Sequence, residues 1–173
     1  KLQVATRQLD AAQQSAAALI DEQPSDKSST LLGIDIALMR RDFATAERLE
    51  NALKAASTSD DFDWRFYRAR RLVAQFTKLN SQVRSELDSL LNGLRSDRPD
   101  WCPLIALAAE YADLSGNRSQ AIDQYRQAID LGDRRPDTTE RLVAALYTDG
   151  RYNEANAYLG RLRADQPAND RIE

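Results

Sequence analysis

The densest run of chemically capable side chains is Trp64-Arg65-Phe66-Tyr67-Arg68-Ala69-Arg70-Arg71, in which four arginines alternate with aromatics. Such a segment can present forked donors to an acidic peptide or to an RNA phosphate backbone. The plainer reading is a helix face whose guanidinium stems lie over neighbouring helices and pair with Asp60, Asp61 or Asp63 just upstream or with acidic residues of the next helix pair. Read at helical period, Phe62, Phe66, Ala69, Val73 and Phe76 form the core-facing stripe, which leaves Arg65, Arg68 and Arg71 along another face. Asp97, Asp100 and the turn Asp133-Arg134-Arg135-Pro136-Asp137 could supply paired carboxylates, but Asp beside Pro in a loop is ordinarily capping and turn chemistry. Cys102 follows Trp101 and precedes Pro103 at the start of a predicted helix. That position can activate a thiol, yet a lone cysteine without a basic neighbour reads as a small packed residue.

The chain has no histidine, which removes imidazole general acid/base catalysis, His-activated nucleophiles and imidazole-bound zinc. Neither a Gly-rich phosphate loop nor a nucleophile elbow occurs, so the residues imply no enzyme and no cofactor. A formal charge of −3 gives no global basic field to draw the chain to nucleic acid or anionic lipid. Nothing is long and apolar enough to span a membrane, and no targeting segment is visible. The single cysteine fits a reducing compartment without excluding the periplasm. Twenty Arg against four Lys and 19 Asp against eight Glu reflect a GC-rich, bacterial-type genome more simply than twenty functional guanidinium groups.

The elements that must position these side chains are helices: 26 Ala with many Leu, Arg and Gln, against six Gly and five Pro, specify an all-α chain. Period 3.6 places helices near 9–22, 28–41, 43–56, 61–78, 81–96, 102–115, 118–131, 136–149 and 152–165. Two markers recur at one interval, since Ala12 to Ala46, Ala121 to Ala155 and Gly116 to Gly150 are each 34 residues apart. The pattern Thr139-x2-Leu142-Val143-x2-Leu146, Gly150, Ala155-x3-Leu159, Pro167 resembles the tetratricopeptide repeat (TPR), and Ile105-x2-Ala108-Ala109-x2-Ala112, Gly116, Ala121-x3-Tyr125, Ala128 repeats it. Gly33-Ile34, Ala37, Phe43, Ala46 and Leu49 follow the same plan, with Glu50 where the family prefers a bulky apolar residue. Pro24, Pro99 and Pro167 close units.

The resemblance implies a right-handed α-α superhelix of about four and a half helix pairs in one array over residues 1–173. Residues 1–26 form a partial repeat, 27–60 a repeat, 61–101 an irregular longer repeat, and 102–135 and 136–169 two further repeats. In the 61–101 unit, a register starting from Trp64 puts Arg68 in the small slot, and a shift by one puts Ala69 there. The start inside a repeat and the absence of an initiator Met suggest a segment of a larger protein.

The same resemblance implies that the first helix of each pair lines a concave wall that holds an extended or helical peptide. Carried onto this chain, that wall includes Leu31, Asp35, Leu38 and Met39, then Arg65, Arg68 or Arg70. It continues with Ala106, Glu110 and Asp113, then Glu140, Ala144, Tyr147 and Thr148. The family's Lys/Asn/Arg clamp for a terminal carboxylate is not matched, because the corresponding slots hold Leu31, Asp35, Glu140 and Ala144. The expected function is a non-catalytic scaffold for a partner protein or peptide. The alternatives are an architectural segment that self-associates through its terminal repeats, or an RNA-binding repeat that uses helix 64–71.

Overall fold

The computed structural model describes residues 2–23, 26–58, 61–78 and 80–165, with only the backbone described for 2–7, 78 and 161–165. Pro24, Ser59, Asp60 and Pro167 lie outside the described residues. The chain divides into two compact units, residues 1–94 and 95–173. The first contains α1 (Leu2–Glu22), α2 (Lys27–Met39), α3 (Phe43–Ala56), α4 (Phe62–Ala74), a short 3-10 turn at Phe76–Lys78, and most of α5 (Ser81–Asp97). The second contains α6 (Cys102–Leu114), α7 (Arg118–Asp130), α8 (Pro136–Thr148) and α9 (Tyr152–Asp165). The helices therefore fall where the periodicity puts them, with two local differences. Helix α1 begins seven residues earlier than expected, and α4 ends at Ala74 because Gln75 N–H donates to both Arg71 O and Leu72 O, which tightens the last turn.

Local chemistry sets the helix ends. Asp26 accepts from Ser28 N and Ser29 N at 3.2 and 2.9 Å, and Asp42 accepts from Thr45 N at 3.1 Å, each filling orphan donors of a first turn. The hydrogen bonds from Ser29 and Thr45 hold these two carboxyls below the ordinary aspartate value. Pro103 and Pro136 stand in the first turns of α6 and α8, where a missing N–H is harmless. Four helices end in the same left-handed turn, with Asp42 N→Ala37 O, Asn117 N→Ala112 O, Asp133 N→Ala128 O and Arg151 N→Leu146 O between 2.8 and 2.9 Å. Gly116, Gly132 and Gly150 supply the positive φ at three of these turns; Arg41 supplies it at the fourth, with φ 59°.

Helices of 13 or 14 residues are marginal alone, and each buries its apolar stripe on its neighbours. In the first unit α1 packs on α2, α2 on α3 and α3 on α4, while α2 also meets α4. In the second, α6 packs on α7, α7 on α8 and α8 on α9, while α6 meets α8. Ala109, Ala121, Ala128 and Ala155 at these crossings are all 0% exposed, as close approach of helix axes requires. At Gly33 a Cβ would stand 3.0 Å from both Ile20 Cδ1 and Leu49 Cδ1, so α1 and α3 converge on the backbone of α2. No described helix is long and apolar enough to cross a membrane.

Candidate functional site

In the first unit the α2/α4 face is organised around Asp35. Its carboxylate accepts from the Tyr67 hydroxyl at 3.0 Å and pairs with Arg70, whose guanidinium lies over the Tyr67 ring at 5.0 Å and the Phe66 ring at 5.7 Å. Burial, reinforced by the Asp35 charge, pushes the Tyr67 phenol up to about 12, so it stays a donor at neutral pH. Leu31 and Leu38 are half-buried against the core that contains Ile34, Leu49 and Trp64, whereas Met39 is 68% exposed. Sequence reasoning left the choice among Arg65, Arg68 and Arg70 open. The structure brings Arg70 to α2, while Arg65 donates to Asp61 O at 3.2 Å and reaches toward Gly93 of α5.

Of the two readings of the α4 arginines, the ion-paired one describes Arg68 and Arg71, and no free basic ridge forms from them. Arg71 is 5% exposed and Arg68 half-buried, and both turn to Glu50 of α3, itself 1% exposed. Arg71 Nε donates to Glu50 Oε2 at 2.8 Å and Arg68 Nη1 to Glu50 Oε1 at 3.0 Å. Arg68 Nε also donates to Glu86 Oε1 of α5 at 2.7 Å. Arg68 is thus committed to α3 and α5 and does not join Asp35 and Arg70. The mismatch at Glu50 and the arginines of α4 are one feature: a buried ion pair stands where the repeat pattern has an apolar contact. Ala69, 0% exposed, takes the small packed position beside it. Asp61 and Asp63 are held by Lys27 at 2.9 and 2.7 Å, so the upstream acids neutralise a lysine of α2.

In the second unit Glu110 of α6 pairs with Arg141 of α8 at 3.0 Å, and Asp113 stands 3.6 Å from Arg118. Behind them is Tyr125 of α7, 1% exposed, whose hydroxyl makes no hydrogen bond of full geometry among the described residues but lies near the Arg141 side chain. Burial pushes its pKa up, so this hydroxyl too remains protonated. Glu140 and Ala144 are exposed on α8, Thr148 Oγ1 donates to Ala144 O at 2.8 Å, and Ala106 is buried. Tyr147 and Tyr152 are 58% and 53% exposed and meet edge to face at 4.8 Å.

The Asp133 turn is structural: Asp133, 4% exposed, accepts from Arg135 N at 3.0 Å, from the Arg135 side chain and from Thr138 Oγ1 at 2.9 Å. Burial works against its charge, but these bonds hold its carboxyl below the ordinary value. Cys102 packs against Ile105, Ala106 and Ala128.

One recurrence had no sequence signal of its own. Asp35 and Glu110 are each the ninth residue of their helices, and each bonds the sixth residue of the next first helix, Tyr67 or Arg141. Only an alignment of helix starts exposes it, because the partners differ in residue type.

No family model and no curated protein matches the chain. Among solved structures, a thermophilic TPR protein of Thermus thermophilus has a TM-score of 0.78 at 21% identity, over 97% of this chain and 88% of its own. MamA from Desulfovibrio magneticus RS-1 (41 to the end) gives 0.60 at 11% identity, over 97% and 92%. A double mutant of MamA from RS-1 gives 0.58 at 10%, over 93% and 86%. The likeness shows the fold: this is an all-α, TPR-like helical-repeat chain of the superhelical solenoid class.

Proposed function

We propose that the chain is a non-catalytic scaffold that holds a partner protein or peptide on the faces formed by the first helices of its pairs. The observation that carries this reading is the pairing of side chains across those faces, Asp35 with Tyr67 and Arg70, and Glu110 with Arg141. Side chains fixed before binding lose less entropy on association, and a stacked arginine beside exposed apolar groups is the composition of an interface hot spot. On α2 and α4 the partner would meet Leu31, Asp35, Leu38, Met39 and Arg70, with Arg65 at the margin. On α6 and α8 it would meet Glu110, Asp113, Glu140, Tyr147 and Thr148. Arg68 is left out, because its donors go to Glu50 and Glu86.

Panning a displayed peptide library against the chain tests the reading. Selected peptides should lose affinity on Met39→Glu or Tyr147→Ser and keep it on Arg48→Glu or Asp123→Arg, exposed positions on second helices. Peptides that ignore the first two changes and respond to the last two would overturn it. The RNA-binding alternative loses its support, since Arg71 is buried and Arg68 is bound to carboxylates.

A further inference from the structure

The carboxylates of the first helices are answered differently in the two units. In the first unit each carboxylate of α2 and α4 has a cation in hydrogen-bond range, Asp35 with Arg70 and Asp63 with Lys27. In the second, α6 and α8 carry Glu110, Asp113, Asp137 and Glu140 against one arginine, Arg141, and that arginine is taken by Glu110 at 3.0 Å. Asp113 has only Arg118 at 3.6 Å, beyond hydrogen-bond reach, and the exposed Asp137 and Glu140 make no ion pair among the described residues. Asp137, Glu140 and Arg141 follow one another at helical spacing on α8, so the unpaired charges stand on the stripe that also reaches Glu110.

A second, independent observation lies beneath these carboxylates. Tyr125 of α7 is 1% exposed, and its hydroxyl makes no hydrogen bond of full geometry among the described residues. The charges of Glu110 and Asp113 both reach this hydroxyl, which places it on their side of α7. A buried polar group that the chain leaves short of a partner is completed from outside the chain. Arg141, close by, can only donate. The phenol oxygen, Glu110 and Asp113 together offer three acceptors, which match the three donors of an ammonium group.

We propose that the face of α6 and α8 takes a net basic, lysine-bearing segment of the partner, with one ammonium seated among Glu110, Asp113 and the Tyr125 hydroxyl and further basic groups along Asp137 and Glu140. This rests on the partner-face reading and names its chemistry in the second unit alone. The paired carboxylates of α2 and α4 give the first unit no such preference. Complementary charge speeds association and suppresses acidic competitors, nucleic acid among them.

Short peptides selected from a displayed library on the wild-type chain, then synthesised and titrated by fluorescence anisotropy, test it. Those whose binding responds to Tyr147→Ser should carry a net positive charge and a lysine whose acetylation weakens binding roughly tenfold. Asp113→Asn with Glu140→Gln should weaken them roughly tenfold, and Tyr125→Phe about threefold. Asp123→Asn with Asp130→Asn removes the same charge from exposed positions on α7 and should leave them unchanged. Asp113→Lys with Glu140→Lys should reject these peptides and accept their Lys-to-Glu counterparts, a gain that a misfolded chain does not give. Neutral or acidic peptides that respond to Tyr147→Ser would overturn this proposal and leave the partner-face reading standing. Basic peptides that ignore Asp113→Asn with Glu140→Gln, or keep full affinity for Tyr125→Phe, would also overturn it. A selection in which no peptide responds to Met39→Glu or Tyr147→Ser would overturn both.

Discussion

Replacing Glu50 by Gln should be among the most damaging single changes in the first unit, although Glu50 occupies a position where the repeat pattern has an apolar residue. Its carboxylate is 1% exposed and takes Arg71 Nε at 2.8 Å, Arg71 Nη2 at 3.4 Å and Arg68 Nη1 at 3.0 Å. Removing one member of a buried pair leaves the other charge without compensation and costs about 3–5 kcal/mol. Glu47, 3.3 Å from Arg71 Nη2 but mostly exposed, recovers part of that, which places Glu50→Gln near the lower end. Arg68 retains Glu86. Set against typical total stabilities of about 5–15 kcal/mol, a loss of about 3 kcal/mol is readily measured.

The opposite change is equally diagnostic. Converting Glu50 and Arg71 together to Leu removes two desolvated charges, and replacing buried ion pairs with well-packed apolar groups is often neutral or stabilising by about 1–4 kcal/mol. Urea unfolding followed by tryptophan fluorescence reads both variants. The protein has two tryptophans, and a Trp101→Phe background leaves Trp64, in the first unit, as the reporter. A single substitution costing less than about 1 kcal/mol, or a double one costing as much as the single, would refute the reasoning.

At Arg41, φ of 59° places a side-chain-bearing residue where three equivalent turns use glycine, so Arg41→Gly should stabilise by about 0.5–1 kcal/mol in a thermal melt. Conversely Gly150→Ala should cost about 1–2 kcal/mol purely through the backbone, because no atom lies within 4 Å of the added Cβ. Tyr125→Phe removes a buried hydroxyl that makes no hydrogen bond of full geometry and should raise the melting temperature, with a gain of about 1 kcal/mol; a lower melting temperature would show that the nearby Arg141 satisfies it. Asp133 has a folded-state pKa below its unfolded value, so its stabilisation is present above about pH 4 and is lost as pH falls through the folded value. Asp133→Asn should therefore be less stable than wild type at pH 7, with the gap narrowing in melts below about pH 4.

Helix positions were legible because the apolar stripes repeat at 3.6 residues and because Gly116 and Gly150 mark turns by type. The turn at Arg41 was not marked in this way, since nothing in an arginine signals a positive φ; the backbone there follows from the Ala37 and Asp42 register imposed by α2 and α3. The arginines of α4 were visible as a cluster, but their destinations were not. A basic helix face at three-residue spacing is the same pattern whether it meets solvent or a carboxylate on another helix. Only the juxtaposition of Glu50, 21 residues upstream, turns Arg71 inward. The anomaly at Glu50 was the one trace of that arrangement in the sequence. The ninth-to-sixth pairing between first helices was hidden for a related reason: Tyr67 and Arg141 donate in the same place with different chemistry.

The central claim, that consecutive helices hold one another because each packs its stripe on the next, is tested most directly at Gly33. In a nuclear Overhauser spectrum of methyl-labelled protein, the Gly33 α protons should show contacts to both the Ile20 δ1 and the Leu49 δ1 methyl groups, because both carbons stand 3.0 Å from the position of a Gly33 Cβ. Contacts to both methyls would place α1 and α3 against α2 as described; a spectrum with neither would contradict the stacking on which the account rests.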